Sequence, residues 1–181
     1  MAAHRPLILT ALVAIALLLG AGVALGQTPA APPMTGTPSA DPFAGITSET
    51  FGSGVPSAAP GQSFELARLT FAPEASIPLH TNPGSQLVSV LSGELTLTAI
   101  QAGGHLMRAP VSDGTPVPTP LEPGASIVLQ AGEGFFFPQG TVHRLDNAGT
   151  EPAVILVATL FAADQPDLVW TDAQGTPIPQ E

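Results

Sequence analysis

The sequence contains no cysteine, no tyrosine and no lysine. Without cysteine the chain can form neither disulfides nor thiolate sites, so a folded domain must be held by its apolar core alone. Without lysine its positive side chains are four arginines, against 14 acidic residues, and the formal net charge is −10. Because nucleic-acid backbones and anionic lipid surfaces require basic partners, this composition argues against binding to either.

The longest apolar run lies at the amino end, from Leu7 to Leu25, after a weakly positive start at Arg5. The small residues in Ala24-Leu25-Gly26 suit a signal peptidase, so residues 1–26 are typical of an export signal peptide. The run is also long enough to span a bilayer, and an uncleaved amino-terminal anchor is the alternative. In both cases the sequence predicts a secreted or otherwise extracytoplasmic domain, with no membrane contact other than this segment.

Composition divides the rest of the chain into three parts. Residues 27–41 are rich in Pro, Ala and Thr and are predicted to be a flexible linker, because they cannot bury enough apolar area to become ordered. Residues 42–162 hold the alternating apolar runs of a single folded domain. Residues 163–181 form an acidic carboxy-terminal tail in which Trp170 is the one side chain suited to dock onto that domain.

The domain is predicted to be all-β, because its apolar runs are short, are separated by Gly and Pro, and never keep a helical period. Strands are expected at Phe64–Phe71, Ser76–His80, Gln86–Leu91, Glu94–Gln101, Ser126–Leu129, Phe135–Pro138, Val142–Leu145 and Ala153–Phe161, with a short one near Leu106–Arg108. A further amino-terminal strand that packs onto these strands is indicated by four apolar residues, Phe43, Ile46, Phe51 and Val55. Many short strands of this kind favour a sandwich or a double-sheet jelly roll.

Three more segments allow structural predictions: a turn, an irregular region and a strand that is apolar on both faces. Leu91-Ser92-Gly93-Glu94 is predicted to be a tight hairpin turn. Residues 100–122 are rich in Gly and Pro, which excludes a central strand through most of that region. Ala153–Phe161 is apolar on both faces, so it should be covered on both sides, as in a barrel wall that packs against another layer or a second subunit.

One stretch near the end of the domain has a regular spacing of turn residues and a histidine. Gly132, Pro138, Gly140, His143 and Asn147 follow the pattern G-x5-P-x-G-x2-H-x3-N at every fixed position. The stretch reads as an apolar strand, a turn, and a second short strand that carries the histidine.

A second stretch lies upstream and fits its pattern less well. Of G-x5-H-x-H-x3-E-x6-G it keeps only His80 and Gly93, while Glu74, Asn82 and Gln86 stand where the first Gly, the second His and the Glu belong. Together the two stretches resemble the paired motifs of the cupin superfamily, across roughly residues 64–161. The resemblance implies a single-domain cupin of the RmlC-like kind, a double-stranded jelly-roll β-barrel, and a homodimer, since similar cupins often dimerise.

The candidate site consists of two histidines and two amides. His80 and Asn82 share one face of a strand, and the turn at Pro83-Gly84 lets Gln86 approach them. Closing the sheet would bring His143 opposite these three. The resemblance implies that the four positions are metal ligands, because the equivalent residues of similar cupins hold a divalent ion, commonly iron, manganese, zinc, nickel or copper.

The chemistry of this quartet differs from that of a complete cupin site, because Asn82 and Gln86 are neutral. A dication without a compensating negative charge meets a desolvation cost of several kcal/mol inside a barrel. We therefore expect weakened metal binding or none, with two imidazoles favouring zinc, copper or nickel over magnesium or calcium.

Three functions are compatible with these residues. The first is an exported cupin that binds a small polar molecule beside a weakened metal site. The second is a metal-dependent enzyme of the dioxygenase or isomerase type. The third is a metal-free structural or recognition domain, in which His80 and His143 only hydrogen-bond the barrel lining. Serine-elbow, thiol and phosphate-loop chemistries have no matching motif.

Overall fold

The computed structural model describes residues 41–108 and 117–179, in which every regular element is a β-strand. The predicted signal segment at 1–26 and nearly all of the predicted linker at 27–41 lie outside the described residues. Within the described ranges, no helix has the length and apolarity needed to cross a membrane.

The described residues form two antiparallel sheets. Their strands are β1 (Ile46–Gly54), β2 (Gln62–Phe71), β3 (Ser76–Thr81), β4 (Gly84–Ser92), β5 (Glu94–Ala99), β6 (His105–Arg108), β7 (Val117–Pro120), β8 (Ser126–Gln130), β9 (Gly134–Phe137), β10 (His143–Asp146), β11 (Ala153–Ala162) and β12 (Val169–Trp170). The seven-stranded sheet has the order β1-β2-β11-β4-β9-β6-β7, and the five-stranded sheet has the order β12-β3-β10-β5-β8. This is the all-β jelly roll that the sequence predicted, and every strand that the sequence located is present.

Period-two alternation explains how the sheets enclose one core. In β5, Leu95, Leu97 and Ala99 are buried, while the threonines between them face outward. In β11, Ala153, Ile155 and Val157 are buried and alternate with half-buried residues. Since side chains of a strand alternate between its two faces, these inward rows meet between the sheets and form a continuous apolar cluster.

The turn at Gly93 does not form the predicted hairpin. The strand before it, β4, pairs with β9 and β11 of the seven-stranded sheet, whereas β5 pairs with β8 and β10 of the other sheet. Gly93 adopts a φ of +72°, and a Cβ atom there would lie 2.5 Å from the carbonyl oxygen of Pro152. The position therefore requires glycine because it is a tight crossing between sheets, and a local pattern cannot distinguish a crossing from a hairpin.

The amino-terminal strand packs only partly as expected. Ile46 is half-buried against the core, but Phe51 is 52% exposed and Val55 is 71% exposed. A register shift between Thr50 and Gly52 places Phe51 in a bulge of this edge strand, and Val55 follows the strand's last residue. The prediction that both side chains pack onto the barrel is therefore wrong.

The chain after residue 162 returns to the barrel. Val169 and Trp170 pair with Thr81 and His80 of β3, beyond the predicted boundary of the domain. The Trp170 ring lies 5.5 Å from that of Phe43 and 6.0 Å from that of His80. Trp170 thus docks the tail, as predicted. The docked segment β12 is an edge strand of the five-stranded sheet.

The proline-rich region contains one strand that the sequence did not predict. Strand β7 pairs with β6 and lies at the edge of the seven-stranded sheet. Pro118 and Pro120 have no backbone N–H group to donate, which is tolerated in an edge strand because one side of it pairs with no other described strand. The exclusion of a central strand there agrees with this edge position.

Candidate functional site

A cavity of about 380 Å³ lies between the inner faces of the two sheets. Its apolar walls come from both sheets and the flanking segments: Phe43, Ile46, Ala67, Leu69, Ile77, Leu145, Ile155, Val157, Phe161 and Leu168. Its polar lining is smaller: Ser48, Ser63, Glu65, His80, Asn82, Gln86, Thr159 and Asp167. This combination of apolar walls and a few polar groups is typical of small-molecule sites.

The two histidines of the candidate site are direct neighbours. His80 on β3 and His143 on β10 are paired in register, and their ring centroids are 4.2 Å apart. The exposed fraction is 2% for His80 and 0% for His143. The antiparallel pairing of β3 and β10 therefore brings together two imidazoles that are far apart in the sequence.

Hydrogen bonds to the backbone fix the tautomer of both rings. Nδ1 of His80 donates to the carbonyl oxygen of Pro78 at 2.8 Å, and Nδ1 of His143 donates to that of Thr141 at 2.9 Å. Because a carbonyl can only accept, each Nε2 carries a lone pair. Nε2 of His143 is buried and has no hydrogen-bond partner. A ring held through Nδ1 with a free Nε2 is the usual arrangement of a metal-binding histidine.

Burial keeps both rings neutral. Desolvation lowers the pKa of His80 to about 4, although the hydrogen bond to Pro78 opposes the shift. Desolvation also lowers the pKa of His143 to about 3, where proximity to His80 adds to the effect and the bond to Thr141 opposes it. At neutral pH both lone pairs are therefore available to a cation or a hydrogen-bond donor.

Asn82 reaches the same end of the cavity from the loop after β3. Its Nδ2 donates to the carbonyl oxygen of Asp167 at 2.9 Å, which leaves Oδ1 as the acceptor of this buried amide. Its backbone carbonyl accepts from the amide of Gly140 at 3.2 Å. Asn82 thus connects the upstream segment to the turn of the downstream segment and to the docked tail.

Gln86 reaches the cavity from the seven-stranded sheet. It lies on β4 between Thr159 of β11 and Phe137 of β9, and its Oε1 is buried without a hydrogen-bond partner. The cavity wall therefore includes His80, Asn82 and Gln86. His143 does not line the cavity. Its ring packs instead against Phe137, with the two ring centroids 4.5 Å apart.

These side chains fit a divalent ion only in part. The free Nε2 atoms of His80 and His143 are suitable donors, and the amide oxygens of Asn82 and Gln86 are weaker, neutral ones. In the two described ranges no third His, Cys, Asp or Glu joins the histidine pair in a metal-binding group. The four candidate side chains therefore include two strong ligands and carry no negative charge of their own.

Glu65 is the main site residue that the sequence did not reveal. It lies on the inward face of β2 with Ala67 and Leu69, is half-buried, and faces the cavity. Strand alternation could have indicated this placement, but the opposite face of β2 carries Phe64 and Leu66. Because both faces contain large apolar residues, the sequence pattern did not show which one points inward.

Comparisons with known proteins agree with this architecture. The family model described as Cupin matches residues 61–169. Over 140 residues the chain is 31% identical to germin-like protein subfamily 2 member 2 of Arabidopsis thaliana, covering 66% of this chain and 56% of that protein. Over 109 residues it is 36% identical to germin-like protein 1 of Brassica napus, covering 60% and 43%.

Among solved structures, an oxalate oxidase aligns with a TM-score of 0.45 and 23% identity, covering 77% of this chain and 63% of that one. The chain spans about half the length of the curated relatives it matches.

Proposed function

Because the chain belongs to the cupin family, we propose that it binds a small molecule in the cavity between its sheets, beside a weakened site for a divalent metal. The observation that carries this proposal is that, among the described residues, Nε2 of His143 and Oε1 of Gln86 are buried without hydrogen-bond partners beside the ring of His80. Buried polar atoms without partners are uncommon and indicate a ligand or a function. The cavity supplies the volume and the apolar walls that such a ligand requires.

In this proposal His80 and His143 are the main metal ligands, and Asn82 and Gln86 are auxiliary ones. Zinc, nickel, copper, iron and manganese are the candidate ions, with the first three best suited to imidazole. A bound ion would supply Lewis acidity at the polar end of the cavity. Occupancy is expected to be low or easily reversed, because the four side chains carry no negative charge.

The test is a metal analysis of the purified protein together with thermal unfolding in the presence of each divalent ion. An ion that binds the native state raises Tm, and His143→Ala or His80→Ala should abolish that rise. His105→Ala is the matched control, since His105 lies on β6 outside the cavity. A protein that neither contains metal nor responds to any divalent ion would contradict the metal component.

The two other functions predict different results in the same assays. A metal-free recognition domain predicts that small molecules raise Tm equally with and without a chelator. A metal-dependent dioxygenase or isomerase predicts turnover that is lost with the chelator and restored by one ion. Stabilisation by a small molecule that survives in His80→Ala would place the binding site elsewhere.

Export is part of the proposal and is supported by residues 1–26. We expect the mature protein to begin near residue 27 and to be found outside the cytoplasm. Mass spectrometry of the protein recovered from each cell fraction measures this directly. A chain that retains residues 1–26 and fractionates with membranes would instead support the anchored alternative.

A homodimer through the outer face of the seven-stranded sheet is also proposed. Phe64 and Leu87 are exposed there, while Leu66 and Leu160 are half-buried beside them. Contiguous apolar surface of this kind favours association with a second copy. Leu87→Glu should shift the mass measured by light scattering from dimer to monomer, and a wild-type protein that is monomeric at high concentration would contradict the proposal.

A further inference from the structure

We infer that the cavity is selective for a small organic ammonium ion with an apolar body, and that Glu65 provides the opposing charge. This inference rests on the proposed binding function and specifies the chemical class of the ligand. The charge of the cavity lining carries it, and the size of the cavity limits the apolar body.

The polar groups at the imidazole end do not by themselves decide the charge of the ligand. His80 lines the cavity, and its Nε2 has no hydrogen bond among the described residues. Asn82 donates to the carbonyl oxygen of Asp167, so Oδ1 is the acceptor that it can offer. The amide of Gln86 carries a donor as well as the buried acceptor Oε1, so this end can bind either kind of polar group.

The charge of the lining points to the same ligand. Glu65 and Asp167 both line the cavity, Glu65 half-buried on the inward face of β2 and Asp167 exposed, and no arginine of the described residues lines it. The three arginines of the described residues form ion pairs elsewhere: Arg68 with Glu49, Arg108 with Glu133, and Arg144 with Asp146. A half-buried carboxylate without a protein cation attracts a ligand cation and disfavours a carboxylate ligand.

The shape of the cavity limits the size of the ligand. Glu65 and Gln86 lie on the two strands that flank β11, with Thr159 between them in register. With a strand spacing of about 4.8 Å, their Cα atoms are roughly 10 Å apart. The volume of about 380 Å³ is at the small end of ligand sites. A compact primary amine with a six-carbon or phenyl body therefore fits with its ammonium group at Glu65 and its body along the apolar walls.

Two matched series of probes test the inference on the full chain with a chelator present. Hexylammonium is compared with 1-hexanol and heptanoate, and 2-phenylethylammonium with 2-phenylethanol and 3-phenylpropanoate. Within each series the apolar body is constant while the charge changes. By calorimetric titration we expect each ammonium ion to bind at least about tenfold more tightly than its alcohol, and each carboxylate to bind most weakly.

Glu65→Gln removes the proposed counter-charge with little change in shape. It should weaken binding of both ammonium ions about tenfold and leave the alcohols within about twofold. Glu122→Gln is the matched control, because it removes the same charge from an exposed loop outside the cavity and should change nothing. An equal loss in both variants would indicate attraction to the acidic chain as a whole and would overturn the inference.

The outcomes separate this inference from the function on which it rests. Carboxylates that bind as tightly as the ammonium ions overturn the ammonium selectivity, while their loss in His80→Ala would still support binding in the cavity. Failure of every probe, together with the absence of any response to divalent ions, contradicts both. The ranking measured on the wild-type chain decides the matter even if Glu65→Gln does not fold.

Discussion

The two motif segments each supply one histidine to a buried pair but differ in what their other residues do. In the downstream segment the family positions shape the backbone, and all of them are present. Gly140 takes a φ of +79° in the turn, and the hydroxyl of Thr141 donates to the carbonyl of Pro138 at 3.1 Å. Among the described residues, His143 is the one fixed residue of that segment with a buried side-chain atom that has no hydrogen-bond partner.

Asn147 shows the structural role most clearly. It is buried, and its Nδ2 lies within 3.1 Å of the carbonyl oxygens of Phe71, Ala72 and Glu151. Its Oδ1 accepts from the amide of Gly149. One side chain therefore joins the end of β2 to the crossing between β10 and β11.

In the upstream segment three motif positions line the cavity. His80 is retained there, whereas Asn82 and Gln86 depart from the family pattern. Gly93, which is also retained, forms the crossing between sheets. The comparison shows that the residues that shape the backbone are kept, while two of the side chains that line the cavity differ from the pattern.

The largest expected effect comes from restoring the upstream ligands. Asn82→His with Gln86→Glu adds an imidazole and a negative charge beside His80 and His143. We expect zinc or nickel affinity to rise about a thousandfold, which corresponds to about 4.1 kcal/mol. Titration with a competing chelator measures the change.

The matched control for this restoration is Asn82→His with Gln101→Glu. Gln101 is exposed after β5 and does not line the cavity, so the same change of amide to carboxylate is made outside it. Equal affinity gains in the two double variants would show that the four positions do not form a common metal site.

The next effect separates the roles of the two asparagines. Asn147→Ala should lower the free energy of unfolding by about 3 kcal/mol, because it leaves buried carbonyl and amide groups without partners. Asn82→Ala should cost only about 1 kcal/mol, since it removes a single bond to Asp167. Denaturant unfolding gives both values, and equal losses would remove the distinction between the structural segment and the ligand-binding one.

Acidification should act on the imidazole pair. The pKa of His80 is about 4 in the fold, below the ordinary value near 6.5, so the unfolded chain takes up the proton first as the pH falls. Neutral His80 therefore makes its full contribution to the unfolding free energy above about pH 6.5. As the pH falls to 4, this contribution decreases by about 3 kcal/mol.

The measurement is the unfolding free energy of wild type minus that of His80→Gln, both with a chelator, between pH 7 and pH 4. The difference should fall as the pH falls, while His105→Gln should follow the wild type. A difference that stays constant would mean that burial does not suppress protonation of His80.

A smaller effect than that of Asn147→Ala is expected for the docked tail. Trp170→Ala removes the ring that contacts Phe43 and His80, and it should lower the unfolding free energy by about 2 kcal/mol. Ile178→Ala is the control, since Ile178 is exposed in the same tail. An unchanged Tm in Trp170→Ala would show that this contact contributes nothing to the barrel.

Several features followed from local sequence alone. The alternating runs located the strands, and the spacing around Pro138 and Gly140 located the turn that precedes His143. The expectation that both histidines would meet inside the sheet also agrees with the structure. These predictions succeeded because alternation, turn chemistry and pair spacing depend on a few neighbouring residues.

Other features depended on which strands pair. The turn at Gly93 looked like a hairpin, and Phe51 looked like a core residue, because the sequence shows neither the sheet to which a strand belongs nor the position of a bulge. The sequence did not reveal Glu65, because both faces of β2 carry large apolar residues and either face was compatible with pointing into the core.

The sequence by itself determined that this chain is a jelly roll with two histidines and two amides at the cupin ligand positions. Only the tertiary structure decided that Glu65 faces the same cavity and that the tail returns to cover His80. The physical reason is that short-range patterns specify strands and turns, whereas the contents of a cavity depend on pairings between strands that are distant in the chain.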